Sequence, residues 1–527
     1  MGVYCFASTK LLLDQVDDSA SETNRVSAVA VKLSASSPST SITTDTTSNG
    51  GNSDALDIPD SFNATADGQI SEYECVGWRQ TGSCSPDGVR EPHLDRPCSA
   101  KIKIGNSGYC EIRHKTTGQL RRVLPIHCNT LHYRVSFECS SFVDLLEYGD
   151  KALVYTHDTK FSYSANQKAL LKDNERSLIP LATPGSEFFT RGIAMVIYEK
   201  LLLGAYASIR SLREMGSTLP VEMWYRKPET NVDHPLLKEL VSKHGVFLRE
   251  IDDKLATGFY TKLHAVFYSA FDQVLLLDAD NYAVRDPVYL FESPEFTQAG
   301  AMFWPDFWRP DHSLFNVHNQ SLVWQVFGLD FADMFEQESG QVLIDRRRHE
   351  KALNALMYYG FTLPRVHEVL RLVWGDKDLF RFAWMKTNST FHYITRPPGS
   401  AGRLNFLTQA FCGLTMVQHD PQGEILFLHR NMQKLRVDNR LPIWTHIQQF
   451  KPESPITRYN IRWAKIFPQY ESCWAQPDHW EELYTLTPIN AFPFGHIEGK
   501  LLRYADEGVA TMNSTMATTT MTPSAIN

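Results

Sequence analysis

Asp278 and Asp280, separated by one small residue in L-L-D-A-D, place two carboxylates directly after the apolar run Val274-Leu275-Leu276-Leu277. Paired acids of this kind call for a hard divalent cation, whose preferred ligands are carboxylate oxygens. From a strand end both acids reach one ion only if the backbone turns between them, and Ala279 leaves room for that turn and for a bulky ligand. The apolar run itself reads as a fully buried parallel strand, and open α/β sheets gather ligand chemistry at the carboxyl ends of such strands. Asn281 and the stretch Arg285-Asp286-Pro287 read as the loop leaving the strand.

The elements that must position this pair are legible upstream. Gly192 to Tyr198 is a short apolar run suited to a first buried strand, followed by helical spacing from Gly204 to Met215 and a stop at Gly216. Pro220 to Tyr225 reads as a second strand, Pro235 to His244 as a second helix and Val246-Phe247-Leu248 as a third strand. A short helix over Thr261 to Ala270 then feeds the acid-bearing strand. Strands alternating with helices imply a mainly parallel, doubly wound α/β sheet with the acids at its mouth. Neither a Gly-x-Gly-x-x-Gly after the first strand nor a Gly-x-x-x-x-Gly-Lys-Ser/Thr occurs. A bound nucleotide would therefore be held through a metal bridging its diphosphate to the acid pair.

A chain of 527 residues, 43% hydrophobic and 12% aromatic, can bury a large core and carries more than one folded unit. With 52 basic against 60 acidic residues it shows no electrostatic footprint for nucleic acid, so a carbohydrate or other small-molecule partner is the natural expectation. Residues 1–70 read as a disordered Ser/Thr-rich stalk, most clearly from Ser19 to Asn63, because this composition cannot bury enough apolar surface to offset ordering entropy. Residues 476–527 read as a C-terminal extension whose end, Thr511 to Asn527, has the same disordered character.

Six of the nine cysteines, Cys75, Cys84, Cys98, Cys110, Cys128 and Cys139, fall in a loop-rich block assigned to residues 71–145. No Cys-x-x-Cys pair and no histidine at ligand spacing supports zinc, so a disulfide framework is expected, with 15 pairings open. Disulfides imply an oxidising compartment, and the sequons at Asn63, Asn319, Asn388 and Asn513 agree with a secretory-pathway lumen such as the Golgi. The N-terminus lacks the apolar core of a signal peptide, Gly2 sits in no myristoylation motif, and no stretch of about 20 apolar residues marks a membrane span. A signal anchor upstream of this start would reconcile these readings; the alternative is that the cysteines are not paired in disulfides.

The run from Ala265 to Asp306, A-V-F-Y-S-A-F-D-Q-V-L-L-L-D-A-D-N-Y-A-V-R-D-P-V-Y-L-F-E-S-P-E-F-T-Q-A-G-A-M-F-W-P-D, resembles the Golgi α-mannosyltransferases of glycosyltransferase family 71. L-P-V-E at Leu219 to Glu222, E-S-G-Q-V-L-I-D at Glu338 to Asp345, G-D-K-D at Gly375 to Asp378 and L-F-L-H-R-N at Leu426 to Asn431 extend the resemblance over roughly 185–475. What it implies is a GT-A fold over 185–475, a GDP-mannose donor, Mn²⁺ with Mg²⁺ as the alternative, and retaining transfer to an α-mannoside glycan acceptor on glycoproteins. Asp278 and Asp280 would bind the metal, joined by His429 at the end of Ile425-Leu426-Phe427-Leu428, and an imidazole beside carboxylates suits Mn²⁺ better than Mg²⁺. Lys262 and Asn281 look like donor contacts, and Asp376 and Lys377 like the catalytic pair, one holding sugar hydroxyls or oxocarbenium charge and the other a phosphate. Glu338, Ser339 and Gly340 look like an acceptor-side loop ahead of the strand Val342-Leu343-Ile344. Trp304, Trp308 and Trp384 either stack on sugars or are core.

Two other classes fit less of the pattern. Phosphatases of the haloacid dehalogenase type also carry Asp-x-Asp after an apolar strand, but they want Thr or Val where Tyr282 stands, and they use the first strand. A non-catalytic sugar-binding protein, with the Cys-rich block as its lectin-like part, is the non-enzyme alternative. A transferase of another nucleotide sugar is the alternative within the enzyme class.

Overall fold

The computed structural model describes residues 58–157, 191–405, 407–464, 470, 472–475 and 480–520. Most of the expected stalk and the last seven residues lie outside the described residues. Residues 58–70, inside the expected stalk, are structured: Asn63 caps a helical turn over Ala64–Asp67, Phe62 packs edge-on to Tyr73 at 5.3 Å, and Ile70 is buried. Two apolar anchors in an otherwise polar stretch account for the difference.

The Cys-rich block is an antiparallel sheet of β1 (Tyr73–Gln80), β2 (Gly108–His114) and β3 (Leu120–Ile126), followed by α1 (Phe142–Val154). Cys75–Cys98, Cys84–Cys128 and Cys110–Cys139 are its disulfides. A fourth, Cys412–Cys473, joins two segments that drew no expectation of pairing. The block shares its core with the rest of the molecule: Leu145, Tyr148 and Ala152 of α1 lie in one apolar cluster with Val323, Phe327, Tyr359 and Phe382. So short a segment buries too little apolar surface by itself and leans on its neighbour.

The central sheet follows the expected alternation through β4 (Arg191–Val196), α2 (Leu202–Glu214), β5 (Val221–Tyr225), α3 (Pro235–Lys243), β6 (Val246–Glu250), α4 (Tyr260–Tyr268) and β7 (Gln273–Leu277). Local chemistry sets the ends. Gly216, just past α2, takes φ +89, and α3 opens on Pro235 with the His234 ring accepting from the Leu236 amide. Strands β6, β5, β4 and β7 are parallel neighbours in that order. From Val274 to Leu277 every side chain is fully buried, as a central parallel strand covered on both faces requires.

Beyond β7 the sheet changes direction. With β8 (Asn281–Ala283) leaving for a second sheet, β9 (Ala301–Pro305), β10 (Gln337–Asp345) and β11 (His392–Tyr393) complete the first in the order β7-β10-β9-β11. β10 runs antiparallel to both neighbours, with Gln341 opposite Leu277. Glu338, Ser339 and Gly340 therefore lie inside a nine-residue strand, which corrects the expected loop. Strand pairing with β7 overrode the turn preference of Ser-Gly.

The second sheet is antiparallel, in the order β8, β14 (Ile425–His429), β13 (Phe411–His419), β12 (Gly399–Leu404), β15 (His446–Phe450), β16 (Tyr484–Pro488). The chain closes with α5 (Ile497–Thr520), whose Leu501, Tyr504 and Ala505 join the core beside α2, with Val509 and Met512 packed against it. The expected tail from Thr511 is thus helical as far as Thr520, because the apolar spacing of α5 continues past the point where the composition turns to Thr and Ser.

Candidate active site

Asp278 and Asp280 occupy the turn between the two sheets, after the last residue of β7 and before the first of β8. The turn is fixed by backbone bonds: the Asp278 amide donates to the Gly340 carbonyl at 2.9 Å and the Asn281 amide to the Asp278 carbonyl at 3.0 Å. β8 then pairs with β14 so that Asn281 faces His429. That pairing carries the imidazole to the acids, with Nε2 at 3.4 Å from Asp280 Oδ1 and 3.7 Å from Asp278 Oδ2. One ligand atom from each of Asp278, Asp280 and His429 lies within 4.8 Å of the others, a spacing that can hold a metal ion.

Charged groups crowd this turn. Lys262 Nζ sits 2.8 Å from Asp278 Oδ2, and Lys434 Nζ 2.5 Å from Asp280 Oδ2. Behind them Lys377 Nζ bridges Asp306 at 2.5 Å and Glu338 at 2.7 Å, while Glu338 Oε1 lies 3.7 Å from His429 Nδ1. With Asp376, five carboxylates face three ammonium groups, and His429 when neutral leaves an excess of two negative charges. A divalent cation carries the matching charge. The donor set fits one too: two carboxylates and an imidazole, with Asp280 and His429 both buried.

The titrating groups respond to this crowding. Burial acts to lower the Lys262 pKa, but the charges of Asp278, Asp376 and Glu338 outweigh it and hold the ammonium above its ordinary range. Burial likewise opposes ionisation of Asp280, and Lys434 and His429 overcome it and hold its carboxyl well below the usual value. For Glu338 the desolvation is outweighed by Lys377 and His429, bringing it to about 2. Asp376 goes the other way, to about 6, because burial dominates and Lys262 compensates only in part. Ser339 adds a small lowering contribution, yet neither carboxylate oxygen of Asp376 has a well-formed hydrogen bond among the described residues.

Residues 190–420 match the family described as "Mannosyltransferase putative". They are similar to the mannosyltransferases of glycosyltransferase family 71. Relatives include the α-1,2-mannosyltransferase MNN2 of Saccharomyces cerevisiae, 26% identical over 291 residues, covering 47% of this chain and 48% of that protein. The α-1,2-mannosyltransferase MNN2 of Candida albicans is 32% identical over 288 residues, covering 44% of this chain and 48% of that protein. The chain thus spans about half the length of the curated relatives it matches. Among solved structures, galactosyltransferase LgtC aligns with 10% identity and a TM-score of 0.30, over 38% of this chain and 72% of that one. Core-mannan synthase A of Aspergillus fumigatus aligns with 10% identity and a TM-score of 0.27, over 41% of this chain and 75% of that one.

The fold brings Lys262, Asp278, Asp280, Asp376, Lys377 and His429 to one place, although His429 lies beyond the matched segment. Other expected site residues have different company. Asn281 is fully buried, its amide nitrogen donating to the Gly340 carbonyl at 2.9 Å and to Gln341 Oε1 at 2.5 Å, so it ties β8 to β10. Glu338, Ser339 and Gly340 are buried beneath the acid turn, with the Gly340 amide donating to Glu338 Oε1. Lys377 is committed to two carboxylates on its own chain, where a phosphate contact was expected. Trp304 and Trp384 are fully buried and Trp308 nearly so, which makes all three core residues. Two members of the cluster drew no expectation as site residues. Asp306 directly follows β9, and that strand-end placement was its available signal; Lys434, in the loop five positions after His429, carried none.

Proposed function

We propose that this protein is a retaining α-mannosyltransferase that moves mannose from GDP-mannose to an α-mannoside glycan on glycoproteins. The observation that carries the proposal is the convergence of Asp278, Asp280 and His429, flanked by Lys262 and Lys434, at the carboxyl end of a parallel strand. The domain's family and the α-1,2-mannosyltransferase relatives support mannose as the sugar and α-1,2 as the linkage. The parallel β6-β5-β4-β7 arrangement, with antiparallel β10 beside it, supports a GT-A architecture for 185–475. Four disulfides support an oxidising secretory lumen, with the Golgi as the proposed home.

Asp278, Asp280 and His429 would hold a divalent ion, Mn²⁺ by the mixed oxygen and nitrogen donor set. When bound, such an ion supplies Lewis-acid stabilisation of the departing diphosphate. Lys262 and Lys434 supply fixed positive charge for the same oxygens, already desolvated and aimed by their carboxylate partners. Asp376, with its hydrogen-bonding capacity unspent, accepts from hydroxyls of the donor sugar. Asp306 and Glu338 are both engaged by Lys377, and Asp376 is taken up by the donor-sugar hydroxyls, so none of the three is free to attack the anomeric carbon. This favours attack by the acceptor hydroxyl on the face the diphosphate leaves, its proton passing to the departing phosphate oxygen.

The test is incubation of the purified chain with a panel of nucleotide sugars and α-mannosides, with Mn²⁺ or a chelator, followed by linkage determination. Transfer from GDP-mannose that stops on chelation and in Asp280→Asn is expected. Failure to turn over any nucleotide sugar would sink the reading.

A further inference from the structure

We propose that Trp374, backed by Phe315 and flanked by Phe259, is the platform on which the mannose ring of the acceptor lies, with the Cys-rich block as the outer wall of that subsite. This deepens the mannosyltransferase reading and rests on it for the identity of the sugar.

Trp374 is 49% exposed and Phe259 47%, whereas Trp304 and Trp384 are wholly inside. Large aromatics left open to water in a continuous strip mark a surface that something covers. The strip is continuous here. Phe315 and Trp374 stack with centroids 5.3 Å apart and ring planes 22° from parallel. Gly375 follows with φ +63, and a Cβ there would lie 2.7 Å from the Phe259 ring, so only glycine lets the turn close onto that ring.

The strip also leads into the site. Asp376 is the next residue after Gly375, with its carboxylate unspent, and Lys262 lies one turn into the helix that Phe259 precedes. A pyranose presents an apolar face of C–H groups and a rim of hydroxyls. A flat indole offers a surface for the C–H face, and the rim hydroxyls nearest the donor sugar come beside Asp376. The stacked pair is held from outside by the Cys-rich block: Asn316 Nδ2 donates to the Thr130 carbonyl at 3.0 Å, and the His318 ring bonds the Asn129 carbonyl at 3.0 Å. Phe315 shares a small cleft with Leu131, His132 and Arg371.

Saturation-transfer NMR with methyl α-mannoside and an α-linked mannobiose, together with steady-state kinetics, tests this on the full chain as wild type, Trp374→Ala and Trp374→Phe. Trp374→Ala should raise the acceptor Kd and KM about tenfold or more, with the donor KM moving less than about twofold, and Trp374→Phe should recover most of the loss. Thermal melts confirm that both variants fold. Equal mannoside binding by wild type and Trp374→Ala, no mannoside binding by the wild type, or a rise in donor KM instead, overturns the platform. Nucleotide-sugar turnover without mannoside binding would remove the platform and leave the transferase standing. Trp374-dependent mannoside binding without any turnover would do the reverse.

Discussion

A Cβ built on Gly340 would lie 2.5 Å from Nδ1 of His429. Strand β10 therefore runs as close beneath the imidazole as a backbone can, and the absent side chain at 340 is what lets His429 sit over the acid turn. Gly340→Ala should cost about 1–3 kcal/mol of stability through overpacking. It should also weaken Mn²⁺ binding about 10- to 100-fold by displacing the ring. Isothermal titration with Mn²⁺ measures the second effect; unchanged affinity would separate Gly340 from the metal group.

Lys434 and Lys262 should behave as donor contacts. A charge-assisted hydrogen bond is worth about 1.5–3 kcal/mol, so Lys434→Met or Lys262→Met should raise the KM for the nucleotide sugar about 10- to 100-fold. Because Lys434 competes with a cation for Asp280, Mn²⁺ alone should bind Lys434→Met no more weakly than wild type. Weakened Mn²⁺ binding would show that Lys434 supports the metal group itself.

Lys377 bridges two buried carboxylates, and its removal strands both. Lys377→Met should cost about 3–5 kcal/mol, read from denaturant midpoints. The double change Lys377→Met with Glu338→Gln should recover part of that loss, since one uncompensated charge is removed with the lysine.

The Cys110–Cys139 disulfide closes a loop with a sequence separation of 29, and both residues are fully buried. Chain-entropy loss places its contribution at about 3–4 kcal/mol. Cys110→Ala with Cys139→Ala should melt well below wild type, and mild reduction of the wild type should lower its melting point in the same direction.

His367 joins the Cys-rich block to the donor side, its Nδ1 2.8 Å from Tyr148 Oη and its Nε2 3.1 Å from Tyr260 Oη. Burial, aided by Arg365, depresses its pKa to about 3 from 6.5. In acid the unfolded chain takes up this proton before the folded chain does. The stabilising difference is complete above pH 6.5 and is lost as pH falls towards 3, by about 1.4 kcal/mol per unit. His367→Phe should be less stable at neutral pH, because the Tyr148 hydroxyl loses its partner and Tyr260 keeps only Glu368, yet its stability should fall less steeply between about pH 6.5 and 4.5. Parallel slopes for variant and wild type would rule out His367 as the source.

The sequence by itself determined the strands and helices up to β7 and the acid pair at its end. Those signals are local: four apolar residues in a row, helical spacing, a Gly or Pro at a boundary, two carboxylates two positions apart. It also identified the cysteine block as a disulfide framework, while leaving the pairing open. The tertiary structure decided what the local pattern could not carry. Ser339-Gly340 favours a turn in isolation, but hydrogen bonding to β7 makes it strand and places it under His429. Lys377 carries no mark of whether it meets a phosphate or two acids, because its partners Asp306 and Glu338 come from other strands. Trp374 and Trp384 are the same residue type ten positions apart, and only packing put one in the core and left the other open to water. In each case the deciding contact joins residues far apart in the chain, and a one-dimensional pattern does not encode such a contact.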